Sequence, residues 1–203
     1  MNFGQSVVIT QQYSARILSI MGGYQVNTLD AIRNRASIKK FSQQSVEKEL
    51  IEQCLELAVW APNHRMTEPW RFFVLREESR ERLIEIMATD FQSDRNAVEN
   101  FGKKLKSAPV MILIYSLPGK NLLITKENYA ATCAAVQNLL LAAYDLGLST
   151  IWRTGEYYES LKMKEFIGIQ ENAEFVGAIH MGYSDQIPDK RKRTSFAEVT
   201  NWV

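Results

Sequence analysis

Histidine and cysteine are scarce in this chain, with two of each among 203 residues. His64 and His180 lie far apart, and neither Cys54 nor Cys133 belongs to a CxxC or Cys/His spacing, so a metal site is not expected. Both cysteines fall inside apolar helical patterns, which predicts reduced, buried thiols in a cytoplasmic protein. An excess of charge is missing as well: 24 Lys and Arg against 23 Asp and Glu leave a formal net charge of +1. That balance gives no electrostatic footprint for nucleic acid or for an anionic membrane surface. No apolar run is long enough to span a bilayer. The opening "MNFGQSVVITQQYSARILSIMGGYQ" lacks a basic segment followed by a continuous apolar one, so it does not read as a signal peptide. Residues 1–27 are read as an N-terminal extension or accessory helix, and 28–203 as one domain.

What is present is an interleaving of two periodicities. A short helix is predicted from Thr28, and a second from Ser45, where Ser-Val-Glu-Lys reads as an N-cap region, with Leu50, Ile51, Cys54, Leu55, Leu57 and Ala58 at helical spacing and Pro62 beyond its end. "WRFFVL" has the aromatic and β-branched content of a strand, and "PVMILIYS" reads as a fully buried central one. Charged amphipathic helices are expected over roughly 78–89 and 91–106. "YAATCAAVQNLLLAAYDLGL" is apolar on nearly every helical face, which requires burial either in the core or against another subunit, and Gly147 is its natural stop. "LSTIWR" opens a strand, a helix near 157–167 ends at Gly168, and "FVGAIHMGYS" is the last strand. Helices alternating with strands favour an α/β or α+β layered domain.

The chemistry-bearing residues are local. Arg33, Arg35, Lys39 and Lys40 form one basic cluster, Arg153 stands at a strand end, and Arg191, Lys192 and Arg193 form another. Each is a solvated charge run or, if they converge, part of a phosphate site with Ser37 as a further donor. No Walker A or GxGxxG glycine cradle occurs. The loop "APNHRMTEPW" places His64, Arg65 and Glu68 between two prolines, where His64 is a helix cap, a solvated residue or a cofactor contact. His180, in mid-strand, reads as a core histidine with its hydrogen bonds satisfied.

Four segments, in order, resemble the nitroreductase family of flavin enzymes. "NRASIKKF" is similar to its RRSxRxF segment, "APNHRMTEPWRFFVL" to its APSxxNxQPWxFxV segment, "AATCAAVQNLLLAAYDLGLSTIWRTG" to its long helix and following strand, and "VGAIHMGYSDQIPDKRKR" to its close. The resemblance covers 28 to the C-terminus, and the His in "APNH" and the "WRT" strand end look most like the small NAD(P)H nitroreductases of the family. It implies an α+β sandwich with a central, mainly antiparallel sheet surrounded by helices, in an intertwined homodimer with FMN at two sites built from both subunits. It also implies hydride transfer from NADH or NADPH to FMN N5 and on to a small-molecule acceptor, a nitroaromatic or a quinone.

Carried over by position, the resemblance gives Arg35, Ala36 and Ser37 to a first FMN segment with Lys39 near the flavin pyrimidine. His64 and Glu68 fall in a second, and Trp152, Arg153 and Thr154 in a third. Arg193, helped by Arg191, matches the basic residue of the close. Two departures stand out: Ala36 replaces a frequent arginine, and Glu68 stands where glutamine is common. A carboxylate accepts hydrogen bonds but donates none unless protonated, so Glu68 either contacts flavin differently or pairs with Arg65 or another cation. No catalytic residue is identifiable. The rival readings are a flavin-binding sensor or carrier without turnover, and a relative that reduces an enone or another flavin.

Overall fold

The computed structural model describes residues 27–88, 95–186, 188 and 192–203; the N-terminal extension up to residue 26 and Arg191 lie outside the described residues. Four strands, β1 (Trp70–Leu75), β2 (Val110–Ser116), β3 (Ser149–Arg153) and β4 (Glu174–Gly182), form one sheet in the order β1-β2-β4-β3. Every neighbouring pair is antiparallel, with Phe72 opposite Ile114, Ile112 opposite Ile179, and Ile151 opposite His180. All seven residues of β2 are buried, as expected for an apolar run with helices on both faces. The α+β expectation is therefore met.

Strand alternation divides the core in two. On one face Val110, Ile112, Ile114, Val176, Ile179 and Met181 pack against helices α2 (Lys48–Ala58) and α5 (Leu122–Asp145). On the other, Met111, Leu113, Tyr115 and Ala178 meet Leu83 and Met87 of α3 (Glu77–Ala88), Phe101 and Leu105 of α4 (Arg95–Leu105), and Met163 of α6 (Leu161–Ile167). The short α1 (Thr28–Asn34) precedes them, capped by the Asn27 side chain, which accepts from the Asp30 N–H at 3.0 Å.

Three boundaries differ from the sequence expectation. Helix α2 begins at Lys48, at the end of the expected N-cap region that starts at Ser45; Glu47 is the N-cap residue, and its carboxylate accepts from the Tyr183 hydroxyl at 2.7 Å. Helix α5 starts at Leu122, more than a turn before the all-apolar stretch, because the Asn121 side chain caps it by accepting from the Ile124 N–H. The segment near 157–167 is two elements, a 3-10 turn Glu156–Glu159 and α6, separated by Ser160, which caps the latter. Gly147 and Gly168 do end their helices, at φ 75° and 70°.

Between Asn128 and Tyr144, only Ala130 and Gln137 of α5 are exposed, so one chain by itself accounts for most of that helix's apolar character. The apolar residues left in solvent lie elsewhere: Leu29 and Ile32 on α1, Trp60 after α2, Leu122 and Leu123 at the start of α5, and Phe196, Val199 and Trp202 in the tail. Cys54 is buried and its thiol is pushed up to about 12 by desolvation, while Cys133 is half-buried and shifted in the same direction by the same cause. Among the described residues, no helix is long and apolar enough to cross a membrane.

Candidate functional site

The structure splits the residues singled out from sequence between the two edges of the sheet. On the β3 edge, the chain leaving α1 forms a parallel bridge between Ser37 and Thr150, reinforced by the Ile38 N–H donating to the Thr150 carbonyl at 2.9 Å. This sets Arg35, Ala36 and Ser37, all half-buried, beside the strand that carries Trp152 and Arg153. Lys39 is exposed just beyond the bridge. The first and third sequence segments are thus neighbours, although more than a hundred residues separate Ser37 from Thr150 in the chain.

Trp152 and Arg153 point to opposite faces of the sheet. Trp152 lies on the α5 side, half-buried, and its indole N–H donates to the Val176 carbonyl at 3.0 Å. The ring lies so close to β4 that a Cβ at Gly177 would come within 1.9 Å of the indole nitrogen, so a glycine is needed there. With its N–H occupied, Trp152 can offer a ligand only its ring or its backbone.

Arg153 pairs with Ala178 in the sheet and faces the α3–α4 layer. Its Nε is buried without a hydrogen-bond partner among the described residues. The residue borders an open pocket of about 190 Å³ together with Phe101, Lys104, Thr154, Tyr157 and Tyr158. Among the described residues, two cations and no carboxylate line this pocket, which suits an anionic group beside aromatic rings. Thr154 is exposed at its rim, and Arg193 is exposed in the C-terminal tail.

His64 and Glu68 sit at the opposite edge, in the loop that leads into β1. At about 4.8 Å per strand, β1 and β3 are roughly 14 Å apart across the sheet, so one small ring cannot touch both edges of a single chain. The loop makes one 3-10 turn, His64–Met66, and is tied down at several points. Asn63 Oδ1 accepts from the Glu68 N–H, the Thr67 hydroxyl donates to Asn128 Oδ1, and Arg71 Nη1 donates to the carbonyls of Glu68 and Trp70. His64 Nδ1 lies 2.8 Å from Glu127 Oε2. Glu68 is exposed, and among the described residues its carboxylate forms no ion pair with Arg65 or any other cation, so the alternative of a local salt bridge is not realised.

Glu127, Asn128 and Thr67 were not singled out from the sequence. Only the polar residues Glu127 and Asn128 at the start of an otherwise apolar helix hint at a role, and periodicity alone does not pair them with a loop 63 residues away.

His180 is fully buried on β4, facing the α3–α4 layer. The Ser107 hydroxyl has one proton and donates it to the Lys104 carbonyl at 2.8 Å, so it accepts from His180 Nδ1 at 3.1 Å. His180 Nε2 is then a bare acceptor with no partner, so the expectation of full satisfaction holds at one nitrogen only. Burial, aided by the cations of Arg153 and Arg80, pulls its pKa down to about 3. It is a neutral core residue without access to solvent.

The sequence profile of the nitroreductase family matches residues 32–183, three quarters of the chain and the whole sheet. The chain belongs to the nitroreductase family. It is 34% identical over 171 residues to YfhC of Bacillus subtilis, named as a candidate NAD(P)H nitroreductase, an alignment covering 81% of this chain and 88% of that one. The crystal structure of a nitroreductase-like family protein from Bacillus cereus superposes with a TM-score of 0.81 at 30% identity, over 89% of this chain and 97% of that one. A candidate nitroreductase from Desulfovibrio desulfuricans, solved in complex with FMN, superposes with a TM-score of 0.67 at 29% identity, over 86% of this chain and 96% of that one. Arg35 to Lys39, His64 to Glu68 and Trp152 to Thr154 all lie inside the span that matches the nitroreductase family, whereas Arg193 lies beyond it.

Proposed function

We propose that this chain is an FMN-dependent NAD(P)H oxidoreductase that works as a homodimer, with each site assembled from the β3 edge of one subunit and the β1-edge loop of the other. The observation that carries this reading is the Ser37–Thr150 bridge. It joins the first and third candidate FMN segments on one edge while leaving His64 and Glu68 on the far side of the sheet, an arrangement that a second copy completes. The apolar side chains exposed on α1, at the start of α5 and in the tail supply a surface for that second copy. Residues 28–203 are the FMN-binding domain in this reading, and 1–27 an extension to it.

The residues present fit a planar, phosphate-bearing ligand. Arg35 and Ser37 would hold the phosphate, with Arg193 and Arg191 of the tail as further cations, while Ala36 contributes backbone only. The partnerless Nε of Arg153 marks a place where an acceptor atom is wanted. Lys39 supplies positive charge for a ligand that gains negative charge, and the Trp152 ring and Thr154 border the ring system. His64 and Glu68 approach from the partner. When bound at these residues, FMN would supply a hydride acceptor at N5 for NADH or NADPH and an electron donor for a nitroaromatic, quinone or similar acceptor. The protein orients donor and acceptor in turn and limits access of water.

The test uses purified protein. It should carry or take up FMN, lose its yellow colour under anaerobic NADH or NADPH, and regain it with a nitroaromatic or a quinone; sedimentation should give a dimer. A colourless protein that fails to take up FMN would sink this reading. Colour that reduced nicotinamide does not bleach would favour a sensor or carrier.

A further inference from the structure

The loop that carries His64 is held in a conformation its own residues disfavour. Arg65, Met66 and Glu68 have positive φ values of 58°, 51° and 43°, although none is glycine. Three such residues among four persist only where the surroundings over-determine them. Here the determinant is one turn of α5: Asn128, 5% exposed, accepts from the Thr67 hydroxyl at 2.9 Å and donates to the Leu117 carbonyl at 3.0 Å, so its amide is fixed at both ends. Its neighbour Glu127 reaches the imidazole. The turn that clamps the loop therefore also supplies the carboxylate that meets His64.

That contact adds little to stability, because the His64 side chain is 55% exposed and the Glu127 side chain 32%. What it does decide is which ring nitrogen carries the proton. An ionised carboxylate only accepts, so Nδ1 is the donor, and the neutral ring then has a bare Nε2 on its far side. Arg65 and Glu68 in the loop and Lys126 on α5 are the other charged residues nearby in sequence, and among the described residues only Glu127 pairs with the ring.

We propose that Glu127 is a positioning residue that holds His64 in the Nδ1–H form and so presents Nε2 as the acceptor for an N–H group of the planar ligand bound at this site. The identity of the ligand rests on the functional reading above: a flavin imide and a nicotinamide carboxamide both offer such an N–H. Glu127 itself touches neither.

The experiment compares wild type, Glu127→Ala and Glu127→Gln. Nitrogen-15 NMR of the imidazoles is recorded at mildly alkaline pH, with a His64→Asn variant to assign the two histidines, and FMN and NADPH are titrated separately. The wild type should show His64 as the Nδ1–H tautomer. Glu127→Ala should move it toward Nε2–H and weaken the binding of FMN or NADPH by roughly fivefold to tenfold, the loss of one hydrogen bond. Glu127→Gln, which keeps an acceptor oxygen, should restore both, and His180 should not respond in either variant. Whichever of FMN and NADPH loses affinity is the source of the N–H. A wild-type His64 in the Nε2–H form, an unchanged tautomer in Glu127→Ala, or a tautomer that changes with no loss of affinity for either molecule would each overturn the proposal. Failure of every form to take up FMN would overturn the functional reading itself, while the tautomer comparison still decides the Glu127 pairing.

Discussion

The two histidines of this chain use the same device in opposite surroundings. Each directs Nδ1 at an oxygen, His64 at the Glu127 carboxylate and His180 at the Ser107 hydroxyl. His180 lies inside the sheet, between β2 and β3, with no solvent, two cations nearby and an unmatched Nε2. His64 lies on a strained loop at the sheet edge, with its ring largely in water and a carboxylate for a partner. Residue type does not separate the two; exposure and the charge of the partner do.

The largest effect that would sharpen this contrast is acid sensitivity. The folded-state pKa of His180 is about 3 against the usual 6.5, so its contribution to stability is fully present above about pH 6.5 and is lost as pH falls toward 3. Between those two values the unfolded chain binds a proton that the folded chain refuses, which corresponds to a loss on the order of 3–5 kcal/mol. His180→Gln should flatten that part of the stability profile, as read from denaturant midpoints between pH 7 and 3.5.

Next in size is binding at the opposite edge. Arg35→Ala should weaken FMN affinity by the value of a charge-assisted contact, about 1.5–3 kcal/mol, in a fluorescence titration; unchanged affinity would show that the phosphate site is misplaced. Asn128→Ala leaves the Thr67 hydroxyl and the Leu117 carbonyl unmatched and should cost about 2 kcal/mol, lowering Tm and releasing the His64 loop. Smallest is Glu68→Gln, an exposed change that should shift stability by less than about 0.5 kcal/mol while raising FMN affinity a few-fold, because it adds an N–H donor. A fall in affinity would show that the Glu68 carboxylate is itself used.

Much of the fold was legible in the sequence, for reasons that can be named. The seven buried residues of β2 follow from its near-continuous apolar run, and Gly147 and Gly168 stop their helices because glycine takes a left-handed φ cheaply. The start of α2 was placed early because Ser45 is a favoured N-cap residue type, whereas the helix begins after Glu47, whose side chain makes no cap hydrogen bond and instead meets Tyr183 across the molecule. The candidate site was half legible. Arg35, Ser37, Trp152 and Arg153 stood out as residue types in a recognisable order, but their meeting on one edge rests on the Ser37–Thr150 bridge. The opposite facing of Trp152 and Arg153 follows from strand alternation, yet which face meets which helix layer does not.

The sequence by itself determined which segments are helix and which are strand, the order of the elements and the family, because these rest on periodicity, turn residues and motif order along the chain. Tertiary structure alone decided that His64 meets Glu127, that Asn128 holds the loop, that the Trp152 indole is committed to Val176 and that His180 is closed off from water. Each of those is a contact between residues distant in sequence, and its energy depends on distance and burial, quantities that a linear pattern does not carry.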